Sequence, residues 1–439
     1  MKTTAAELGR LIASGKLDPV ELASETLDAI NTHPERKRIY TVISDERAMA
    51  EAEDSRKRQK TGTLASPLDG VPISWKDLFD TAGIATEAGT PLLKGRIPQE
   101  DCLVIARASA AGLVCTGKTH TSELAFSGLG INPNAQTAPN IHGDSLAPGG
   151  SSSGAAASVA NDLVPIGIGS DTGGSVRIPS AWNDLVGLKT TSGLIPNDGV
   201  IALCPGFDTA GPLCRSVEDA WLMTAILAGL EPVMPEAKPL SECRFLVNRT
   251  IVLDGLDEKT ERGFKSAIEK LASAGVKIDY GEIDQYEEIL PLGPVLFPYE
   301  AWQSWGKEIT DNPGVVFEPV ENRFLSGKHL TREEYQHAWK KMETLRKAYN
   351  ERVAGYDAVL SPTVCITPPN KEKLLGDIDL FQKTNLLALR NTRFGNMFGL
   401  CALTIPTGEP SVGIMLGSTP FTEKNLASVG ISVENALQS

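Results

Sequence analysis

Three short segments of this chain hold residue types from which chemistry can be built. Lys76 stands directly after the apolar run Val71-Pro72-Ile73-Ser74-Trp75 and is followed by Asp77. Pro148-Gly149-Gly150-Ser151-Ser152-Ser153-Gly154 opens a stretch of small residues. The third segment is Gly169-Ser170-Asp171-Thr172-Gly173-Gly174-Ser175-Val176-Arg177-Ile178-Pro179. A serine hydroxyl attacks a carbonyl only when a neighbouring base takes its proton. A lysine is such a base only as the free amine, and its ordinary pKa of about 10.4 makes that form rare at pH 7. Burial disfavours the ammonium and brings the amine within reach. Taken singly, each segment also has an ordinary explanation: a solvated charge after a strand, a Gly/Ser loop, and a tight turn with an Asx cap.

Other chemistries fit less well. Neither glycine run has the G-x-x-x-x-G-K-[ST] form of a phosphate cradle, and no G-x-G-x-x-G follows a strand and opens a helix. Gly150-Ser151-Ser152-Ser153-Gly154 matches the G-x-S-x-G nucleophile elbow. That elbow needs a strand immediately before it, and Gly143 to Pro148 has no β pattern. The histidines it would draw on, His329 and His337, lie in a charged helical stretch. The five histidines include no H-x-x-x-H or H-E-x-x-H spacing and the seven cysteines no C-x-x-C pair, so metal catalysis has no visible ligand set.

Read together, the three segments carry a family resemblance. Leu68-Asp69-Gly70-Val71-Pro72-Ile73-Ser74-Trp75-Lys76-Asp77, the Gly-Gly-Ser-Ser run and Ser-Asp-Thr-Gly-Gly-Ser-Val-Arg-Ile-Pro, at these intervals, resemble the amidase signature family. Gly117 to His120 with Glu123, Val186 to Thr190, Asp208 to Pro212 with Arg215 and Asp219, Tyr356 to Thr363, and Asn396 to Pro406 extend the match. The resemblance covers roughly 66–230 and 355–430 and is weak across 231–350.

The resemblance implies an α/β fold, an α/β/α sandwich around a large mixed sheet. It implies Ser175 as nucleophile, Ser151 in a cis conformation as bridge, and Lys76 as the base behind it. It also implies an oxyanion hole from the amides of Thr172, Gly173, Gly174 and Ser175, where converging N–H groups stabilise a tetrahedral oxyanion. Ser152 is expected to hydrogen-bond within the site. Ser153 replaces the glycine common at its position and is expected to pack. Asp171 and Arg177 are read as fixing the loop. His120 stands where asparagine is frequent and is read as a structural histidine. Phe297, Trp302 and Trp305 form either an acyl wall or ordinary core. The implied activity is hydrolysis of a small-molecule carboxylic amide to acid plus ammonia or amine, without metal or cofactor. The alternatives are a glutamine amidotransferase subunit working in a complex, a hydrolase of carbamoyl or urea-type C–N bonds, and a non-catalytic binding descendant.

The elements that must position these residues are legible in outline. Thr4 to Glu7 reads as a capping box and Asp18-Pro19 as a second helix start. A short strand is expected at Tyr40 to Ser44 and an exposed helix from Asp45 to Lys60. From about Pro67 to Leu230, apolar runs alternate with helical ones, the texture of a layered α/β domain. Strands return at Tyr356 to Leu360, Leu403 to Pro406 and Val412 to Leu416, and Glu423 to Leu437 closes as a helix. We expect one domain over 1–439, made of an N-terminal helical segment (1–65), a signature core (66–230), a variable, mainly helical excursion (231–350) and a return to the sheet (351–439). With 42 Lys and Arg against 55 Asp and Glu, net charge −13, the chain is a poor general binder of nucleic acid or anionic membrane. It has neither the apolar core of a signal peptide at its start nor a run of about 18 apolar residues. Scattered cysteines in odd number fit a reducing compartment, and the cytoplasm is the expected location. Oligomeric state stays open, a homodimer included.

Overall fold

The computed structural model describes residues 3–438, so residues 1, 2 and 439 of the terminal segments lie outside it. Eleven strands form one sheet among the described residues. They are β1 (Tyr40–Ile43), β2 (Pro72–Lys76), β3 (Val114–Thr119), β4 (Ile166–Asp171), β5 (Val186–Lys189), β6 (Thr209–Cys214), β7 (Arg244–Asn248), β8 (Lys277–Gly281), β9 (Ala358–Pro362), β10 (Cys401–Pro406) and β11 (Gly413–Ser418). Their spatial order is β1-β3-β2-β4-β6-β5-β10-β11-β9-β7-β8. β2 runs parallel to β3 and β4, and β7 runs parallel to β8 and β9. The other pairs are antiparallel, so the sheet is mixed, as an α/β fold of this family requires.

The centre of the sheet follows from composition. β2, β3, β4 and β6 are buried at every residue. Parallel strands covered on both faces show no polar alternation. Pro72 is tolerated because it is the first residue of its strand. The helix Ser153–Ala160 packs on β4, and its residues Ser153 to Val159 are all buried. Contact there is so close that a Cβ on Gly167 would lie 2.6 Å from the Ala155 carbonyl oxygen. Small residues on both elements are what permit that approach. In front of this core, the helices Ala5–Ala13 and Pro19–Thr32 begin where expected. Thr4 Oγ1 accepts from the Glu7 amide, and Asp18 Oδ1 accepts from the Val20 amide.

Two expectations need correction. The helix Asp45–Thr61 is not simply exposed: Ala48, Ala52 and Ser55 form a buried stripe. The 231–350 segment is mainly helical, yet it also supplies β7 and β8, which form the far edge of the sheet. β8 is an edge strand that is half-exposed and polar, so period-two alternation is blurred there. β7 has a buried Phe245-Leu246-Val247 centre too short to stand out in a charged stretch. No helix among the described residues is long and apolar enough to cross a membrane.

Candidate active site

The parallel pairing of β2 and β4 sets the site. Trp75 lies opposite Ile168, so Lys76 and Ser170 emerge together at the carboxyl ends of neighbouring strands. Crevices outside the carboxyl ends of parallel strands are where α/β sheets bind ligands. Lys76 is fully buried. Its Nζ lies 2.6 Å from Ser151 Oγ and 2.8 Å from Ser170 Oγ, with no carboxylate in contact. Burial pulls the amine down to about 7, against the more distant negative charges of Asp208 and Asp171, which raise it. A free amine is therefore well populated at neutral pH.

Ser151 is delivered to Lys76 by a clamped loop. The Gly150–Ser151 peptide is cis. The Gly150 amide donates to the Gly128 carbonyl at 2.8 Å. The Ser151 carbonyl accepts from the Ser122 amide at 3.1 Å and from Thr121 Oγ1 at 2.9 Å. Ser175 follows the turn after β4, and its carbonyl accepts from the Ser152 amide at 3.3 Å, which ties the two serine segments together.

The turn from Thr172 to Ser175 is held from outside. Thr172 Oγ1 donates to Asp208 Oδ1 at 2.5 Å, and Thr392 Oγ1 donates to the Gly173 carbonyl at 2.7 Å. Gly174 adopts φ +143°, and a Cβ there would lie 2.1 Å from Thr392 Oγ1, so only glycine fits. Asp171 and Arg177, both fully buried, brace the turn from below. Arg177 Nε donates to Asp171 Oδ2 and Nη2 to Oδ1, each at 2.9 Å. Burial alone would raise the Asp171 carboxyl, but the Arg177 guanidinium overrides it and holds the group at about 2. Among the described residues, the amides of Gly173, Gly174 and Ser175 donate to no protein group. Thr172, Gly173 and Ser175 instead line a small chamber of about 30 Å³, closed by Phe126, Phe297 and Leu389.

A family model described as Amidase matches residues 21–427. The chain belongs to the amidase family. This amidase is 31% identical over its whole length, and 98% of the relative's, to the A component of the glutamyl-tRNA(Gln) amidotransferase of Anaeromyxobacter sp. strain K. It is 30% identical to 2-amino-5-chloromuconic acid deaminase of Comamonas testosteroni, over 85% of this chain and 83% of that one. A solved structure described as an amidase superposes with TM-score 0.88 at 26% identity, covering 99% of each chain.

Within the amidase, the residues singled out from sequence sort into three positions. Lys76, Ser151, Thr172, Gly173, Gly174 and Ser175 belong to one continuous polar cluster. Ser152 lies behind it: its hydroxyl donates to the Ser170 carbonyl and accepts from the Ser170 amide, both at 3.2 Å, and it does not line the chamber. Ser153 is buried, with its amide on the Ser151 carbonyl. His120 faces elsewhere, into a separate cavity beside Asp77, with Nε2 3.1 Å from the Lys37 carbonyl oxygen. Phe297 lines the chamber, whereas Trp302 and Trp305 pack on the core, and Trp305 Nε1 donates to the Ala202 carbonyl at 2.8 Å.

Sequence reasoning missed Ser170 as the second partner of Lys76, although Ser170 stands within the third motif. It also missed Asp208 as the anchor of Thr172. Arg323 and Arg393, which line the chamber, carried no sequence signal at all, since nothing local separates them from other arginines.

Proposed function

We propose that this protein is an amide hydrolase working through an acyl-enzyme on Ser175. The observation that carries the reading is the buried Lys76 amine within 2.6 Å of the Ser151 hydroxyl, held near pKa 7. The free amine takes a proton from Ser151, and Ser151 takes one from Ser175 as Ser175 Oγ bonds to the substrate carbonyl carbon. The carbonyl oxygen becomes an oxyanion, for which the undonated amides of Gly173, Gly174 and Ser175 are available. The C–N bond then breaks, and the proton stored on Lys76 returns through Ser151 to the leaving nitrogen. Water attacks the ester with the same relay, releasing the carboxylic acid and restoring Ser175. Thr172 and Ser152 act here as positioning residues.

Small-molecule amides are the proposed substrates, and no metal or cofactor is called on. Ser175→Ala and Lys76→Ala are each expected to abolish turnover of simple amides, and a fluorophosphonate is expected to label Ser175. Undiminished activity of either variant would remove the mechanism. A second reading comes from the relative named for an amidotransferase, in which this chain would be the glutaminase half of a larger complex. The purified chain alone separates the two, since a free hydrolase turns over without a partner.

A further inference from the structure

The wall of the chamber opposite the serines carries hydrogen-bond donors that nothing in the protein satisfies. Arg323, on the helix Glu318–Leu325, and Arg393, on the helix Ile378–Met397, both line the chamber at Ser175 and an adjoining cavity of about 260 Å³. Among the described residues no carboxylate acts on either charge; the charge that Arg323 feels most is the like charge of Arg393. Arg323 Nε is closed to solvent and has no hydrogen-bond partner. The fully buried Asn385 lines the same cavity, and its Nδ2 is also closed off and unpartnered, while its Oδ1 accepts from the Gly128 amide and the Ser127 hydroxyl.

Packing alone does not account for this. Arginines that merely cover apolar surface carry their heads to water. Here the guanidinium carbon of Arg323 lies 4.2 Å from the Phe126 ring centroid, and that of Arg393 lies 5.6 Å from the Phe297 centroid. Stacking on rings leaves the N–H edges free. Burial lowers Arg393 to about 10, and burial with the neighbouring Arg393 charge lowers Arg323 to about 9. Buried charge without a partner is strongly destabilising. Arg177, equally deep, shows the satisfied case, with both Asp171 oxygens, the Thr392 carbonyl and Asn396 Oδ1 around it.

Donors without acceptors select an anion. Guanidinium forks match a carboxylate in geometry as well as charge. Neither the chamber nor the adjoining cavity is lined by any Asp or Glu, so an ammonium on the same ligand would have no counter-ion. The small chamber has room for a scissile carbonyl, and the next cavity for a short chain. Building on the acyl-enzyme reading above, we propose that the substrate is the monoamide of a short dicarboxylic acid, lacking an ammonium, with its free carboxylate held by Arg323, Arg393 and Asn385.

Binding to Ser175→Ala protein tests this without needing the nucleophile. Calorimetric titration with succinamate and glutaramate is compared with the neutral butanamide and pentanamide, and with L-glutamine. The better of the two anionic amides is expected to bind about ten- to a hundred-fold more tightly than its neutral match, the range of a hydrogen bond to a charged group, and more tightly than glutamine. Arg323→Gln and Arg393→Gln are each expected to erase that margin while leaving neutral amide binding unchanged. Arg323→Lys keeps a charge and is expected to restore part of it, which guards against a folding artefact. Equal or weaker binding of both anionic amides, or an equal loss for charged and neutral ligands, overturns the proposal. Hydrolysis persisting in Ser175→Ala would instead sink the acyl-enzyme reading and leave the carboxylate preference standing.

Discussion

Lys76 and Lys118 are buried lysines on adjacent parallel strands, with Trp75 opposite Lys118 and Lys76 opposite Thr119. Both are fully buried, and burial lowers both amines. Their partners differ. Lys118 Nζ donates to the Phe79 carbonyl at 2.5 Å and to Thr86 Oγ1 at 2.7 Å, and the Asp77 carboxylate lies 3.7 Å away and raises the amine. A carbonyl only accepts, so this nest favours the ammonium. Lys76 touches two hydroxyls, Ser151 and Ser170, and no carboxylate. A hydroxyl both donates and accepts, so it suits the amine in either charge state. The comparison teaches that depth alone does not make a base. A buried lysine ringed by acceptors is structural, and one ringed by hydroxyls can trade protons.

The largest effect expected from breaking this contrast is on catalysis. Ser175→Ala or Lys76→Ala should lower kcat/KM by about 10⁴-fold or more, as loss of a nucleophile or of its proton relay does. Steady-state rates on a simple amide check it. Lys118→Met should instead cost stability, by about 3–5 kcal/mol, because it leaves the Asp77 charge buried and unpaired. Denaturant melts measure that loss, and turnover per folded molecule should hold. Adding Asp77→Asn should recover part of the stability.

The third expectation sharpens the comparison through pH. The Lys76 base form accumulates as pH rises through about 7. kcat/KM should therefore climb about tenfold per pH unit below that point and level above it. Asp77→Asn, which alters only the Lys118 nest, should leave the midpoint in place. A smaller change is expected from Ser170→Ala, which removes one hydroxyl from Lys76 and a hydrogen bond of about 1–2 kcal/mol. Its signature is a displaced pH midpoint together with roughly a tenfold loss in rate, whereas a merely structural defect would leave the midpoint alone.

Arginines divide on the same principle. Arg177 reads as a loop brace from its motif, and its four protein acceptors leave nothing for a ligand. Arg323 and Arg393 stand on helices Glu318–Leu325 and Ile378–Met397 with free donor edges, and no pattern in their own segments sets them apart. The strands show a similar split. β2, β3 and β4 are apolar runs that announce themselves, while β7 and β8 are short, one of them half-exposed, and sit within charged helical sequence.

By itself the sequence determined the reactive types and their order: a lysine ending an apolar strand, a serine after paired glycines, and a Thr-Gly-Gly turn before Ser175. These are local facts, because strand propensity, glycine backbone freedom and hydroxyl chemistry act within a few residues. Only the tertiary structure decided who surrounds each charge. It put hydroxyls around Lys76, carbonyl and carboxylate oxygens around Lys118, and Arg323, Asn385 and Arg393 along one cavity. Whether a buried charge is paired depends on groups contributed by distant parts of the chain, and short-range periodicity carries no record of them.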